Sequence, residues 1–336
     1  MNKYLNNNIS FKQDNGQVFH YEITDINKTL YEIHGEKYLN YRKDFELASQ
    51  LKKWDKPQYL VIETNSYCNM RCKMCAKSYD VSRNTGTNIS YDNIKKIALE
   101  GKKIKIPSFF IGAESECLIN PNIKDIIKAI KNDGGGIDNF IITNGYELTS
   151  EISNLLVDLQ WERVYVSLDA AYAETYKKIR GKDLFHVEEN INRLLKIRQE
   201  RKSLLPLVRV SFVIQDENKD EIQDFIDKWK DKVDIIDFQN LIHFEKMEIK
   251  ENLPSVDYQC AAPFRTMMID CAGNIHPCCC EYGMKMLIGN IEKMTIEDAW
   301  NSNFMQNLRT SMIEKNLCSV CRNCAIKTEH NEINAN

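Results

Sequence analysis

Short apolar runs alternate with amphipathic segments through the middle of the chain, from about residue 58 to about residue 238. The apolar runs are rich in Val, Ile, Phe and Tyr, which is typical of buried strands. The predicted strands are 59–63, 108–111, 139–143, 164–168, 208–214 and 235–238. Between them, apolar residues recur at helical spacing. The predicted helices are 90–100, 121–132, 150–160, segments that end near 200, and 220–230.

Six strands that alternate with helices predict an α/β fold with a parallel sheet and helices packed outside it. The first helix is expected to begin after Ser90 and to stop at Gly101, and Pro121 is expected in the first turn of the second. The alternation alone is compatible with a doubly wound sheet or with a barrel. In a parallel barrel, the loops after the strands line the active site.

The two ends of the chain follow other patterns. Before the alternation, 17–23 and 30–33 are predicted strands and 41–54 is a predicted helix. This segment is either a packing extension of the main domain or a substrate-recognition element. Beyond residue 250, 264–270 and 274–276 predict a hairpin around an Ala-Gly turn, followed by helices.

Composition excludes several classes of function. A net charge of −3 gives no sign of a nucleic-acid partner. No apolar run approaches the ~18 residues that a membrane span needs, and the polar first residues lack the core of a signal peptide. We therefore expect a cytoplasmic protein, in which most of the 12 cysteines are metal ligands instead of disulfides.

The loop after the first alternating strand contains Cys68, Cys72 and Cys75 at Cys-x3-Cys-x2-Cys spacing. Three thiolates can hold three irons of a [4Fe–4S] cluster and leave the fourth iron open to a small molecule. A zinc site that lacks its fourth ligand is an alternative. With Asn69 and Met74 inside it, the spacing resembles the signature of the radical SAM enzymes. The resemblance implies a partial (β/α)6 TIM-like barrel and S-adenosylmethionine bound at the open iron.

Further candidate residues follow later strands, in the order that the family shows. The turn containing Glu114 resembles the Gly-Gly-Glu motif that meets the amino group of the cofactor. Asn144 lies in a Thr-Asn-Gly turn that is common in the family. Ser167, Asp169 and Arg180 resemble a segment whose side chains reach the ribose or carboxylate of the cofactor. Without the resemblance, a strand-end serine, a helix-capping aspartate and a surface arginine would explain the last three.

Eight of the 12 cysteines lie in the last 77 residues. They resemble the SPASM and twitch extensions of radical SAM enzymes, which imply a small α+β domain with one auxiliary [4Fe–4S] cluster. The expected ligands are Cys260, Cys278, Cys321 and Cys324. Cys318 could replace one of the last two, and zinc bound by four thiolates is an alternative. Cys279 and Cys280 are either buried thiols or donors of a hydrogen atom.

Three regions follow from these patterns: an N-terminal extension at 1–56, a radical SAM core at 57–245 and a SPASM/twitch-like auxiliary-cluster domain at 246–336. The resemblance implies an oxidoreductase. S-adenosylmethionine would be cleaved reductively to a 5′-deoxyadenosyl radical, which abstracts hydrogen from a sugar-like or aminocyclitol-like substrate, and the auxiliary cluster would accept the electron. An electron donor such as flavodoxin or ferredoxin is then a partner. A peptide maturase, a redox-neutral epimerase and a non-enzymatic metal-stabilised binding or redox-sensing module are alternatives.

Overall fold

Among the residues that the structure describes, one mixed sheet of eleven strands is the central element. The computed structural model describes residues 10–14, 18–80, 84–242, 258–279 and 285–324. The strands are β1 (Ser10–Asp14), β2 (Val18–Glu22), β3 (Tyr59–Ile62), β4 (Phe109–Ile111), β5 (Phe140–Thr143), β6 (Arg163–Ser167), β7 (Leu207–Ile214), β8 (Ile235–Asn240), β9 (Thr266–Ile269), β10 (Asn274–His276) and β11 (Gly289–Asn290). Their order in the sheet is β1-β2-β8-β7-β6-β5-β4-β3-β9-β10-β11.

Helices connect most of these strands. They are α1 (Ile26–His34), α2 (Glu36–Ser49), α3 (Ala76–Tyr79), α4 (Tyr91–Lys103), α5 (Ile123–Gly134), α6 (Ser150–Asp158), α7 (Ala173–Arg180), α8 (Leu184–Glu200), α9 (Ile222–Trp229), α10 (Ala262–Arg265), α11 (Ile296–Trp300), α12 (Asn303–Ile313) and α13 (Ser319–Arg322). In the described part of the chain, no helix is both long enough and apolar enough to cross a membrane.

Strands β3 to β8 are parallel neighbours in chain order. Each crossover therefore steps to the next strand in one direction, and right-handed crossovers then place the helices on one face of the sheet. A doubly wound sheet would reverse direction part way. The six-stranded partial barrel is thus confirmed. Its helix-facing side is apolar, with buried Leu60, Ile62, Val164 and Val166 in the main core.

The opposite face of the sheet lines the barrel interior. Val61, Phe110 and Met268 form a separate buried cluster there, against which Tyr59 and Phe140 pack. Since side chains alternate along a strand, Glu63 follows Tyr59 and Val61 on this inner face. The interior is therefore aromatic near the strand starts and acquires carboxylates where the strands end.

The N-terminal segment attaches to the barrel through a strand and two helices. Strand β2 pairs antiparallel with β8. The strand predicted at 30–33 is wrong: these residues belong to α1, because Asp25 caps Lys28 N and places Leu30 on the buried face of a helix. In α2, Tyr38 and Tyr41 are buried, and the Tyr38 hydroxyl lies 3.4 Å from an Arg163 nitrogen. The segment therefore packs beneath the strand starts.

Gly101 does not end α4, which continues to Lys103. A Cβ at this position would lie 2.5 Å from the ring of Phe109 on β4, so the glycine permits close packing of helix on strand. Likewise, α5 begins at Ile123, beyond Pro121. In both places the helix boundary predicted from a glycine or a proline is wrong, because tertiary packing or a local turn determines where the helix begins or ends.

The C-terminal region continues the same sheet. Strand β9 pairs parallel with β3, from Tyr59 opposite Thr266 to Ile62 opposite Ile269. The predicted hairpin is confirmed, since β9 and β10 are antiparallel and Gly273 lies in their turn with a φ of 82°. The strand that carries the first cysteine loop is thus hydrogen-bonded to β9, and β9 in turn is hydrogen-bonded to β10, which leads to Cys278.

Candidate functional site

The loop that follows β3 holds Cys68, Cys72 and Cys75 at the carboxyl end of the barrel. Neighbouring loops anchor its backbone. Lys73 N donates to Ile179 O at 2.9 Å, and Glu116 N donates to Tyr67 O at 3.3 Å. The cysteine loop is therefore fixed against α7 on one side and against the loop after β4 on the other.

The three thiols of this loop face one another. Burial raises the pKa of Cys68, and it raises that of Cys72 to about 11, while proximity to Cys75 raises both further. Arg180 opposes this effect, since its Nη1 lies 3.7 Å from Cys72 Sγ. Asn144 Nδ2 lies 3.9 Å from Cys68 Sγ. A cation and an amide donor therefore lie beside the thiols, as charged sulfur requires when it is removed from water.

Asp169, just after β6, and Arg180, the last residue of α7, pair with each other at the carboxyl end of the barrel. Asp169 has a φ of 66°, and its carboxylate accepts from Val213 N and Arg180 Nε, each at 2.8 Å. Burial alone would lower the pKa of Arg180, but Asp169 and Cys72 raise it. Ser167 is the last residue of β6, opposite Ser211. Contacts of these side chains with a cofactor remain a prediction.

Two glutamates in the loop after β4 have different surroundings. The predicted residue, Glu114, acts on the pKa of Glu63 and Cys279, on the side of the barrel that faces β9. Glu116, which we did not predict, acts on the pKa of Cys68. It is buried between the loops after β4 and β5.

Three donors hold the Glu116 carboxylate in place. Thr143 Oγ1 and Asn144 N donate to it at 2.6 Å, and Leu118 N donates at 3.1 Å. Burial nevertheless raises its pKa. A buried carboxylate beside the cysteine loop would gain from a cationic ligand. The sequence carried a signal for it, because Glu116 lies only two residues from the acid that the motif selected.

This donor set fits a [4Fe–4S] cluster with S-adenosylmethionine at the open iron. The loop offers three thiolates, and Glu116 offers a carboxylate suited to the ammonium group of the cofactor. Asn69 Nδ2 is buried and has no hydrogen-bond partner among the described residues, although Asn69 Oδ1 accepts from Asn144 at 2.8 Å. A buried amide donor next to the thiols calls for an acceptor from a bound group.

The C-terminal cysteines form a second group. Cys260 precedes α10, Cys278 follows β10, and α13 and its end supply Cys321 and Cys324. Their thiols converge: a hydrogen bond with Cys318, burial, Cys278 and Cys260 raise the pKa of Cys321, and burial and Cys324 raise that of Cys260. Cys318 belongs to the same group, so either Cys318 or one of Cys321 and Cys324 could complete the set of four ligands.

Within the described ranges, no three His, Cys, Asp or Glu side chains lie closely enough together to hold a single metal ion. A cluster and a zinc ion bound by four thiolates both remain predictions for the C-terminal cysteines. Cys279 packs against the barrel interior, where burial raises its pKa to about 11. Cys280 lies outside the described residues.

Comparisons with known proteins agree with this geometry. A family model of the Radical SAM superfamily matches residues 62–228, and a model of an iron–sulfur cluster-binding domain, SPASM, matches residues 260–325. The first implies a [4Fe–4S] cluster and S-adenosylmethionine, and the second implies auxiliary iron–sulfur binding. The two matches coincide with the two cysteine groups.

Curated relatives are similar over part of the chain. The tungsten-containing aldehyde ferredoxin oxidoreductase cofactor-modifying protein of Pyrococcus furiosus is 30% identical over 163 residues, which are 48% of this chain and 45% of that protein. The S-adenosyl-L-methionine-dependent 2-deoxy-scyllo-inosamine dehydrogenase of Niallia circulans is 28% identical over 108 residues, 30% of this chain and 43% of that protein. The chain spans about half the length of the curated relatives it matches.

Solved structures share the fold. BtrN in complex with AdoMet and 2-DOIA has a TM-score of 0.53 and 18% identity, over 80% of this chain and 93% of that chain. SuiB of Streptococcus suis bound to S-adenosylmethionine has a TM-score of 0.57 and 16% identity, over 82% of this chain and 73% of that chain. SuiB has also been solved bound to the precursor peptide SuiA.

Proposed function

Because the chain belongs to the radical SAM superfamily and carries a SPASM domain, we propose that it is an oxidoreductase acting on a C–H bond of a small polyol, of the sugar or aminocyclitol class. The observation that carries the proposal is that two cysteine groups belong to one sheet: the first follows the carboxyl end of β3, and the pairing of β3 with β9 and of β9 with β10 brings Cys278 beside Tyr59, near the strand starts. The similarity to a 2-deoxy-scyllo-inosamine dehydrogenase supports the substrate class.

Each group of residues has a task in this proposal. Cys68, Cys72 and Cys75 would hold the first cluster. Glu116 would hold the ammonium group of S-adenosylmethionine, the role that the motif predicted for Glu114. When bound, this cofactor supplies a 5′-deoxyadenosyl radical. Asn144 would brace the cysteine loop through its 2.8 Å bond to Asn69, and Arg180 would offset the charge on Cys72.

The remaining proposals concern the second cluster and the regions of the chain. Cys260, Cys278, Cys321 and Cys324 would hold the auxiliary cluster, which takes the electron that the substrate loses. The extension at 1–56 would act as a packing segment beneath the barrel, the region 57–245 as the catalytic core and the region 246–336 as the auxiliary domain.

A redox-neutral epimerase is the second candidate. Cys279 favours it, because its side chain lies against the barrel interior near Glu114. A thiol in that position could return a hydrogen atom to a substrate radical. The similarity in fold to SuiB keeps a peptide substrate open as a further alternative.

Product analysis tests the proposal. We expect reconstituted, reduced protein with S-adenosylmethionine to form 5′-deoxyadenosine and to convert a member of an aminocyclitol and sugar panel, including 2-deoxy-scyllo-inosamine, to a ketone. The control is Cys117→Ser, because Cys117 is a buried cysteine outside both groups. A product that is an epimer of the substrate, formed without net oxidation, would favour the second candidate.

A further inference from the structure

A second polar group lies at the barrel mouth, separate from the charges around Cys68 and Cys72. Glu63 follows β3 and is 4% exposed, and Ser115 Oγ donates to its carboxylate at 3.0 Å. Glu114 faces it from the loop after β4, and Asp270 faces it from the end of β9. We call Glu63, Glu114, Ser115, Asp270 and Lys77 the carboxylate pocket.

The surroundings of Glu63 hold its proton unusually tightly. Burial, and then the negative charge of Glu114, raise its pKa from 4.5 to about 7, with Asp270 acting in the same direction. Lys77 and the Ser115 hydroxyl act against them. These groups belong to α3, the loop after β4 and the end of β9, and the Cys271 thiol beyond β9 also faces Glu63. A carboxyl poised near neutral pH can both accept and release a proton.

Lys77 provides an independent sign of a ligand. Its side chain is 6% exposed, yet it makes no hydrogen bond or ion pair with any residue that the structure describes. Its ammonium faces the pocket, since it lowers the pKa of Glu63 and opposes the rise at Cys271. An ammonium group that no described side chain pairs is free to donate to an oxygen of a bound molecule.

The pocket lies between the two cysteine groups. The charges of Glu116 and Arg180 shift the pKa of Cys68, and those of Arg180 and Asp169 shift the pKa of Cys72. The charge of Asp270, at the end of β9, raises the pKa of Glu63. The charge of Glu114 raises the pKa of Cys279, the residue next to Cys278. A substrate in the carboxylate pocket would thus have the first cluster on one side and the auxiliary domain on the other.

We propose that this pocket binds the hydroxyl group at the substrate carbon to be oxidised, with Lys77 donating to the hydroxyl oxygen and Glu63 taking the hydroxyl proton. The inference rests on the proposed oxidoreductase function. The substrate C–H bond breaks and its hydrogen atom goes to the radical supplied by the bound cofactor. The substrate then loses one electron to an iron–sulfur acceptor and the O–H proton to Glu63, and the C–O bond becomes C=O. The general base, which the sequence did not reveal, is then Glu63.

The test compares Glu63→Gln with the parent holoenzyme, using the panel compound that the parent oxidises. The ketone formed per 5′-deoxyadenosine should rise with pH through about 7 in the parent, because only ionised Glu63 accepts the proton. In Glu63→Gln, the iron content and 5′-deoxyadenosine formation should persist. The ketone yield should fall about 10²- to 10⁴-fold and lose its pH dependence.

Lys77→Met should raise the KM for the polyol by about tenfold or more, the effect expected for a lost charge-assisted hydrogen bond. Matched controls are Glu151→Gln and Lys124→Met, which remove the same charges from an exposed pair on the surface. Infrared titration of the substrate-free holoenzyme should show a carboxyl that ionises near pH 7 in the parent and is missing from Glu63→Gln.

Three outcomes would overturn the proposal in distinguishable ways. If Glu63→Gln forms ketone at the parent rate with the parent pH profile, the inference fails and the oxidoreductase function stands. If Glu63→Gln loses iron or 5′-deoxyadenosine formation, Glu63 positions the first cluster or its cofactor instead. If the parent oxidises no member of the panel, the proposed function fails, and this proton transfer fails with it.

Discussion

At the scale of single residues, the barrel mouth separates its carboxylates by environment. Glu116 is hydrogen-bonded three times beside the cysteine loop, whereas Glu63 and Glu114 face each other toward β9. Burial raises the pKa of both Glu63 and Glu116. The neighbours of each residue therefore set its role. The Glu116 carboxylate is a fixed hydrogen-bond acceptor, whereas the Glu63 carboxyl can exchange a proton.

The first residue-scale prediction concerns the cofactor. Glu116→Gln should weaken S-adenosylmethionine binding by about 10- to 150-fold, because one charge-assisted hydrogen bond contributes roughly 1.5–3 kcal/mol. Glu114→Gln should change the affinity much less. Equilibrium binding to the reconstituted protein measures both, with iron content and melting temperature as checks on folding. A larger loss of affinity in Glu114→Gln than in Glu116→Gln would instead identify Glu114 as the residue that binds the ammonium group.

The second residue-scale prediction concerns stability. The pKa of Glu63 is raised from 4.5 to about 7, so its contribution to folding is fully present below pH 4.5 and is lost as the pH rises through about 7. A shift of this size corresponds to about 3 kcal/mol. Glu63→Gln should therefore unfold at higher denaturant concentration than the parent at pH 8, and at a similar one near pH 4.5. A constant difference across that range would contradict the pKa.

The sequence predicts the cysteines that we propose as metal ligands, but it did not lead us to Glu63, and the reason is physical. Cys68, Cys72 and Cys75 are close in sequence, so their spacing alone indicates shared chemistry. Glu63 meets Asp270 only because β3 pairs with β9, a contact that no local pattern contains. Strand alternation from Tyr59 would have placed Glu63 on the inner face, and that signal was available.

At the scale of elements, tertiary contacts decided where helices begin and end. The six parallel strands were predicted within a few residues, since long apolar periodicity is a strong signal. The 30–33 segment was misassigned because a short apolar run fits a strand or one face of a helix. Gly101 was read as a stop signal, but its role is to let α4 lie against Phe109.

The element-scale prediction follows from that contact. Gly-to-Ala inside a helix usually stabilises by about 0.5–1 kcal/mol, but Gly101→Ala should destabilise by about 1–3 kcal/mol. The added methyl would lie 2.5 Å from the Phe109 ring. This ring is fully buried, so it cannot shift without disturbing the side chains packed around it. Denaturant unfolding measures the change. In a Phe109→Leu background the penalty should shrink, and an equal penalty in both backgrounds would exclude this contact as its cause.

At the scale of the whole molecule, the two cysteine groups belong to one sheet. Hydrogen bonds of β3 with β4 on one side and β9 on the other connect the barrel to the C-terminal region. The distance between the groups is thus set by backbone pairing. We therefore expect the two clusters to be close enough to exchange electrons, while each cluster keeps its own chemical role.

The whole-molecule prediction separates the two clusters. The parent should bind about eight irons, and a Cys321→Ser/Cys324→Ser protein should bind about four. The double variant should still form 5′-deoxyadenosine, because it retains Cys68, Cys72 and Cys75, but it should no longer oxidise substrate. Loss of the metal should also loosen the C-terminal region, since metal binding contributes to folding. Oxidation at the parent rate by the folded double variant would reduce the auxiliary cluster to a structural role.

The pairing of β3 with β9 also governs how the protein is made. Tyr59 leaves the ribosome long before Thr266, its partner in the sheet. During that interval one edge of β3 has no neighbour, and parallel pairing between distant segments forms slowly. An unpaired apolar edge invites intermolecular association. Expression yield should therefore depend on translation speed and chaperone supply more than the modest net charge would suggest, and iron delivered before the last strands appear would meet an incomplete barrel.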